Sequence, residues 1–136
     1  MLTPVRMRAI LIERGPRTYV YVLQKGEKSE VLDFFSQRDS SVAARGFRHL
    51  IEIISTQGYE TLNDEQLDCW KEGDEFFCEL KKGRHRIGCF FYGNHRRLLM
   101  ATHFIKTVLV EKAQYRRAIK AKQRFDANPE WVESDE

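Results

Sequence analysis

Three strand-like segments that follow one another almost without a break constrain the fold of this sequence more than any other feature. They are Glu75–Lys81, His85–Tyr92 and Arg97–Phe104, with turn residues Lys82-Gly83-Arg84 and Gly93-Asn94 between them. Strands joined by such short turns lie antiparallel, because a parallel crossover needs a dozen or more residues. The sequence therefore predicts a three-stranded antiparallel meander.

Helix-like and strand-like segments surround this meander. Leu62–Trp70 is predicted to be a short turn of helix or a loop. The other expected elements are strands at Arg6–Glu13 and Thr18–Gln24, a helix from Ser29 or Glu30, a second helix capped by one of Asp39, Ser40 and Ser41 and closed by Gly58, and a final helix from Val110 to Phe125. Helices segregated from an antiparallel sheet predict an α+β fold. We expect a small sheet with two N-terminal helices packed on it and a basic C-terminal helix.

The chain length fits one domain. With 136 residues, we expect a single domain at 1–125, of which 1–17 is an N-terminal extension or an extra strand, and an acidic tail at 126–136. No apolar run approaches the roughly 18 residues that a membrane span requires, and no leader peptide is evident. The three cysteines are odd in number and lack CxxC spacing. They predict no disulfide framework and a reducing, cytoplasmic location.

The basic residues are concentrated in one third of the chain. Residues 81–125 contain 13 Lys and Arg but a single acid, Glu111, although the whole chain carries a net charge of only +3. A block this basic in a folded region attracts polyanions, most simply the phosphates of a nucleic acid. An acidic protein partner and a merely solvated basic surface are the alternatives.

The basic meander also predicts a functional face. A two-residue turn at Gly93-Asn94 would place Arg84 opposite His103. Side chains opposite one another share a face, so cations, a histidine and aromatic rings would gather on one side of the sheet. The predicted members of this face are Arg84, Arg86, Gly88, Phe90, Tyr92, Arg97, Leu99 and His103. Cations bind phosphates and aromatic rings stack on bases, so this face is predicted to bind nucleic acid.

Cofactor and metal chemistry is not indicated. The sequence lacks a GxGxxG, a P-loop, an HExxH motif and a paired CxxC. We therefore expect no cofactor and no metal site. Cleavage of nucleic acid without a metal points to RNA, because RNA carries its own nucleophile in the 2′-hydroxyl group.

The meander resembles the core of the RelE/HigB-type toxins of bacterial type II toxin–antitoxin systems. The resemblance lies in Glu79-Leu-Lys-Lys-Gly-Arg-His-Arg-Ile-Gly-Cys-Phe-Phe-Tyr, in Arg97-Leu-Leu-Met-Ala-Thr-His-Phe-Ile-Lys106 and in Ser29-Glu-Val-Leu-Asp-Phe-Phe. It implies a toxin that cleaves mRNA, usually on the ribosome, and that a cognate antitoxin protein holds inactive. The chain departs from the family pattern at Phe77 and Glu79, where some members carry lysines, and at Thr107-Val-Leu-Val, where a lysine and Thr-Pro are common.

Three catalytic candidates follow from the resemblance and from the residue types. Arg86 matches the arginine that stabilises the transition state in the family, and Tyr115 resembles a tyrosine of its C-terminal helix. His103 is a further candidate for proton transfer. The residues expected to bind RNA are Lys81, Lys82, Arg84, Lys106 and Tyr92.

The leading hypothesis is thus a metal-independent endoribonuclease toxin. Two alternatives remain: a non-nucleolytic poison of DNA gyrase, as in ParE-type toxins, and a basic binding module without catalysis.

Overall fold

The computed structural model of the protein describes residues 5–37, 41–108 and 111–133. The strands are β1 (Met7–Arg14), β2 (Tyr19–Lys25), β3 (Leu67–Glu72), β4 (Glu75–Lys82), β5 (His85–Tyr92), β6 (Arg97–Ile105) and β7 (Trp131–Val132), and the helices are α1 (Glu30–Gln37), α2 (Val42–Gln57) and α3 (Lys112–Ala127), with a 3-10 turn at Tyr59–Thr61. None of the described helices is long and apolar enough to cross a membrane.

The seven strands form one mixed sheet in the order β3-β4-β5-β6-β2-β1-β7. Strands β3 to β6 form an antiparallel meander, and β1 and β2 form an antiparallel hairpin. The hairpin joins the meander through β2, which runs parallel to β6 and places Tyr19 opposite Arg97. The predicted α+β class and meander are confirmed, and β1 is the extra strand foreseen within residues 1–17.

The prediction of a small sheet is wrong because two strands escaped the sequence analysis. Strand β3 lies within Leu62–Trp70 and just beyond it, where a helical turn or a loop was expected. It pairs with β4 at the edge of the sheet, and charged side chains such as Asp68 and Lys71 are tolerated on an edge strand that water reaches on one side. Its apolar pattern is therefore too weak to predict a strand.

Helices cover the sheet on both faces. Helices α1 and α2 pack on one face, where the core is formed by residues such as Phe34, Phe47, Ile54, Leu80, Ile87 and Met100. Helix α3 packs on the other face, over residues such as Tyr21, Phe77, Phe90, Leu99 and Phe125. Ser41 caps α2 by accepting a hydrogen bond from the Ala44 N–H, and Gly58 ends that helix at a φ of 97°. Both predicted ends of α2 are confirmed.

The hairpin between β5 and β6 differs in register from the expected one. Tyr92 pairs with Arg97, so the connection contains four residues rather than two. A β-bulge then shifts the register between Gly88 and Cys89, and beyond it Arg86 pairs with Phe104 and Ile87 with His103. Because side chains alternate between faces with a period of two, one inserted residue moves His103 to the face opposite Arg86. The predicted grouping of Arg86 with His103 is wrong.

Cys69 and Cys78 are joined by a disulfide between β3 and β4. The two residues are directly paired across the strands, with their Cα atoms 4.1 Å apart. The prediction of reduced cysteines is wrong for this pair, so the predicted cytoplasmic location draws no support from the cysteines. Cys89 is a buried free thiol, and burial raises its pKa.

The acidic C-terminal segment is part of the fold as far as the structure describes it. Trp131 and Val132 form β7, which pairs in parallel with β1. Trp131 packs against Tyr21, Tyr92 and Phe125. Residues 126–133 therefore depart from the predicted tail, since an aromatic anchor and two edge pairings attach them to the sheet.

Gly88 permits the close approach of α3 to the sheet. A Cβ atom at this position would lie 2.7 Å from Thr102 Oγ1 and 3.2 Å from the Ala118 side chain. We expect Gly88→Ala to lower the free energy of unfolding by about 1–3 kcal/mol, because the extra methyl group overpacks a closed core. Urea denaturation of both proteins measures this difference.

Gly46→Ala is the matched control. The three atoms nearest to a Cβ at Gly46 would be methylene carbons of Lys82, an exposed side chain that can move aside, and alanine favours the helix by about 1 kcal/mol. Gly46→Ala is expected to leave the stability unchanged or to raise it. Equal loss of stability in the two variants would contradict a tight fit at Gly88.

Candidate nucleic-acid interface

Three exposed cations lie together at one end of the sheet. Lys82 and Arg84 flank Gly83 in the turn between β4 and β5, and Lys106 follows the last residue of β6. The Lys106 N–H donates a hydrogen bond to the Arg84 carbonyl, with N and O 2.6 Å apart. This bond continues the β5–β6 ladder into the turn and holds the two backbones together. We call Lys82, Arg84 and Lys106 the cationic end.

The cationic end is not neutralised by the part of the chain that the structure describes. None of its three side chains forms an ion pair there. The Lys82 stem packs over Gly46 of α2, which supports the side chain while its ammonium group stays in water. Three unpaired cations at one end of a sheet raise the local positive potential, which attracts an external anion.

Helix α3 adds a row of cations. Lys112, Arg116 and Lys120 are exposed and follow one another at intervals of four residues. Like charges at this spacing destabilise a helix by a few tenths of a kcal/mol per pair. The apolar side of the helix, which includes Ala118 and Phe125, is buried against the sheet. The opposite side therefore presents positive charge to the solvent.

Two of the residues predicted to bind RNA lie away from the cationic end or are already engaged. The Lys81 ammonium group donates to the Asp64 carbonyl and lies 3.5 Å from the Asp68 carboxylate. Tyr92 lies at the opposite end of β5, where its hydroxyl donates to Asp126 and its ring packs on Phe125. Neither side chain joins Lys82, Arg84 and Lys106 in this structure.

Arg86 is buried instead of lying on an open surface. It is only 8 % exposed, and its Nε lies 3.6 Å from Glu79 Oε1. One terminal nitrogen donates to the carbonyls of Gly83 and His85, at 2.8 and 3.0 Å. The side chain thus folds back over its own turn and fixes the backbone that carries Arg84. The expectation of an open arginine beside a groove is wrong.

Glu79 is the partner that the sequence analysis did not assign. It pairs with Gly88 on β5, and this register places it diagonally across from Arg86 on the same face. Burial raises the pKa of the Glu79 carboxyl, whereas the nearby Arg86 charge opposes that rise. The available signal was an acid and a base, each in the middle of an apolar strand, on two strands joined by a tight turn.

Tyr115 of α3 and Glu111, the residue just before that helix, lie near this ion pair. The Tyr115 ring packs against Trp70 and Phe77, and its hydroxyl donates to the Glu111 carboxylate. The nearby Glu79 and Glu111 charges add to burial in raising the pKa of Tyr115. Arg86 and Tyr115, two of the three predicted catalytic residues, are therefore close to one buried carboxylate. His103 is not.

His103 belongs to a separate pocket on the α1 face. Its Nε2 lies 2.9 Å from Nδ1 of His85, and its ring stacks on Phe34 with the centroids 4.2 Å apart. The pocket, which has a volume of about 230 Å³, also contains Glu30 and Asp33. Within the described ranges, no cluster of three or more His, Cys, Asp and Glu side chains is arranged to hold a metal ion.

Comparison with known proteins adds no assignment. No protein-family model matches the sequence. No curated protein matches it significantly either.

The Glu79–Arg86 pair makes a prediction about stability. Removing one member of a buried ion pair leaves the other charge unpaired, at a cost of about 3–5 kcal/mol. We expect Arg86→Met to show this loss at neutral pH in urea denaturation. The double variant Arg86→Met/Glu79→Leu is expected to recover most of the lost stability, because it leaves no unpaired charge. A double variant that is as unstable as the sum of the single variants would refute the pairing.

The loss in Arg86→Met should also depend on pH. Without Arg86, the Glu79 carboxyl is buried with a pKa raised above the value of 4.5 for a free glutamate. An acid with a raised pKa in the folded state stabilises the fold below its unfolded pKa, and this contribution is lost as the pH rises through the folded pKa. The difference between Arg86→Met and the wild type should therefore shrink towards pH 4 to 5.

Proposed function

We propose that this protein binds RNA through the cationic end, as the toxin of a type II toxin–antitoxin pair. The observation that carries the binding proposal is that Lys82, Arg84 and Lys106 are all exposed at the same end of the sheet and form no ion pair within the described residues. The role as a toxin, with a cognate antitoxin as partner, rests on the resemblance to the RelE/HigB type alone.

Phosphate groups are the ligands that such a surface suits best. A nucleic-acid strand offers regularly spaced negative charges, and neutralising them with lysine and arginine releases condensed counterions. The exposed row on α3 extends the positive surface beyond the cationic end, which favours a polymer over a single small anion. A single-stranded RNA fits the short span of three cations, because a flexible strand adapts its backbone to their positions.

Metal-independent cleavage of that RNA, as expected of an mRNA interferase on the ribosome, is the second candidate function. The observation that favours it is the carboxylate of Glu79 beside Arg86 and near Tyr115, with a pKa that burial raises. A carboxylate with a raised pKa can accept the proton of a 2′-hydroxyl group, and an arginine can stabilise the charge on the phosphorane. Tyr115 would protonate the leaving 5′-oxygen.

Cleavage at this position requires a conformational change. Arg86 and Glu79 are both buried, and Glu111 and Tyr115 of the α3 region lie against them. A phosphodiester reaches the pair only if the first turn of α3 moves aside. In the closed arrangement, the protein binds RNA without cutting it, which is the behaviour of the basic binding module among the alternatives.

Removing the cationic end should weaken RNA binding. We expect Lys82→Ala/Arg84→Ala/Lys106→Ala to bind a short single-stranded RNA at least about tenfold more weakly at low salt. The slope of log K against log salt should flatten by about 2, since each phosphate contact in a single strand contributes about 0.7. Fluorescence anisotropy at several salt concentrations measures both quantities.

A second variant separates this effect from net charge. Lys71→Ala/Arg124→Ala removes two positive charges from exposed positions nearer the opposite end of the sheet, outside the cationic end and outside the row of Lys112, Arg116 and Lys120. We expect it to retain more affinity and a steeper salt slope than the first variant. Equal losses in the two variants would reduce the interface to a general electrostatic attraction.

Cleavage is tested by incubating RNA with the protein in the presence of a chelator. Tyr115→Phe is expected to slow cleavage by about 10²-fold or more, the usual contribution of a general acid or base, while RNA binding is unchanged. Glu79→Gln should slow cleavage by a similar factor, and because it leaves Arg86 without its buried partner, urea denaturation checks that this variant is folded under the assay conditions. Products with 2′,3′-cyclic phosphate ends identify attack by the 2′-hydroxyl group. If expression of the protein in cells arrests growth while the RNA stays intact, the protein is a non-nucleolytic toxin. DNA-damage signalling in those cells would identify DNA gyrase as its target.

A further inference from the structure

A second cavity lies at the end of the sheet opposite the cationic end, between the β1–β2 hairpin and the turn from β5 to β6. It has a volume of about 370 Å³, and its charged lining consists of Arg17, Arg96, Arg97 and Glu133. The Tyr19 N–H donates to the Arg96 carbonyl, so the two turns that carry the arginines are joined by a backbone hydrogen bond. The cavity is therefore built on rigid strand ends.

Glu133 occupies this cavity with one of its carboxylate oxygens. Its Oε2 lies 3.2 Å from an Arg97 guanidinium nitrogen, and the Tyr21 hydroxyl donates to the same oxygen. Arg14 donates to the Glu133 backbone carbonyl at 2.7 Å. The Arg97 guanidinium is held over the Trp131 ring, with its central carbon 4.6 Å from the ring centroid. A pre-oriented guanidinium of this kind suits carboxylates and phosphates alike.

The positive charge around the cavity exceeds what Glu133 neutralises. Arg17 and Arg96 line the cavity and form no ion pair within the described chain. A further acid, Glu60, lines a neighbouring cavity together with Arg17. Among the described residues, a single carboxylate thus faces the three lining arginines. A group with a higher charge and more acceptor oxygens, such as a phosphate, would satisfy more of them.

Glu133 can leave without unfolding the segment that carries it. Trp131 anchors β7 by packing on Tyr21 and Phe125, and β7 is paired with β1 only at Ala9 and Ile10. Glu133 follows this anchor, and its side chain is about one third exposed. A change in the backbone after Val132 would therefore free the cavity while the aromatic anchor stays in place.

We propose that this arginine-lined cavity is a phosphate-binding site and that Glu133 is its internal, displaceable occupant. The C-terminal segment then competes with phosphate at this site and lowers its affinity. The phosphate group comes either from an RNA backbone or from a free phosphate or nucleotide. The site does not depend on the cationic end, which lies at the other end of the sheet.

Phosphate binding is measured on the full chain by NMR at constant ionic strength, with chloride as the reference anion. The protein has two tryptophans, so the Trp131 indole N–H signal is assigned by its persistence in Trp70→Phe. We expect inorganic phosphate to shift this signal saturably. Glu133→Gln should lower the Kd about threefold or more, and Arg17→Ala/Arg96→Ala should raise it about tenfold, equivalent to ~1.4 kcal/mol.

Glu130→Gln is the matched control for Glu133→Gln. It removes the same charge from the residue that pairs with Arg6 and Arg8 at the other side of Trp131. We expect its Kd for phosphate to equal that of the wild type. Spectra that superimpose outside the cavity show that each variant is folded. Equal tightening in the two glutamine variants, an unchanged Kd in Arg17→Ala/Arg96→Ala, or a signal that does not saturate would overturn the proposal.

A parallel titration with single-stranded RNA identifies the source of the phosphate. If Glu133→Gln binds RNA more tightly than the wild type, and Arg17→Ala/Arg96→Ala binds it more weakly, the site is assigned to an RNA backbone. A response to inorganic phosphate without a response to RNA assigns it to a free phosphate or nucleotide. The RNA-binding proposal for the cationic end is tested separately, by the RNA affinity of the Lys82→Ala/Arg84→Ala/Lys106→Ala variant. The two proposals can therefore fail independently.

Discussion

Burial of the central strands on both faces is the constraint on which the rest of this structure depends. Strands β5 and β6 have neighbours on either side in the sheet, helices α1 and α2 on one face and α3 on the other. A strand buried on both faces must be apolar at nearly every position, as from Ile87 to Phe90 and from Leu98 to Ala101. Charged side chains are therefore confined to the ends of these strands, and both cationic sites of the molecule lie there.

The Glu79–Arg86 pair is the exception to this confinement, and it connects the core with the cationic end. Two opposite charges remain buried together because each offsets much of the other's desolvation. Arg86 also donates to the carbonyls of Gly83 and His85 and so holds the turn between β4 and β5. The side chain whose charge Glu79 neutralises thus also holds the turn that carries Arg84. This structural role accounts for an arginine within an apolar strand without any contact with substrate.

The two ends of the sheet differ in how far acidic side chains of the same protein neutralise their positive charge. At the cationic end, no described side chain pairs with Lys82, Arg84 or Lys106. At the opposite end, the C-terminal segment places Glu133 against Arg97. Within the described residues, Glu133 therefore compensates part of one basic surface, whereas no acid pairs with the other. This division suits a protein with one cationic surface that is always open to a polyanion and a second, the arginine-lined cavity, that becomes available only when Glu133 leaves.

The three helices, the β4–β6 meander, the α+β class and the span of β5 were predictable, because turn residues and apolar periodicity are local signals. The cations of the turn after β4 were predictable for the same reason. The location of His103 was not, since a bulge near Gly88 reverses the face of every residue beyond it. Strand β3 and the C-terminal strand escaped prediction because edge strands need no strong apolar pattern.

The sequence by itself determined the three helices and the five strands other than β3 and β7, and that the positive charge is concentrated between residues 81 and 125. Only the tertiary structure decided which of those charges are available. Arg86 is neutralised by Glu79, Lys81 is engaged by Asp68, and Arg97 by Glu133, whereas Lys82 and Arg84 remain in water. The physical reason is that the charge of a side chain is a property of its residue type, but its neutralisation depends on partners that the fold brings from distant parts of the chain.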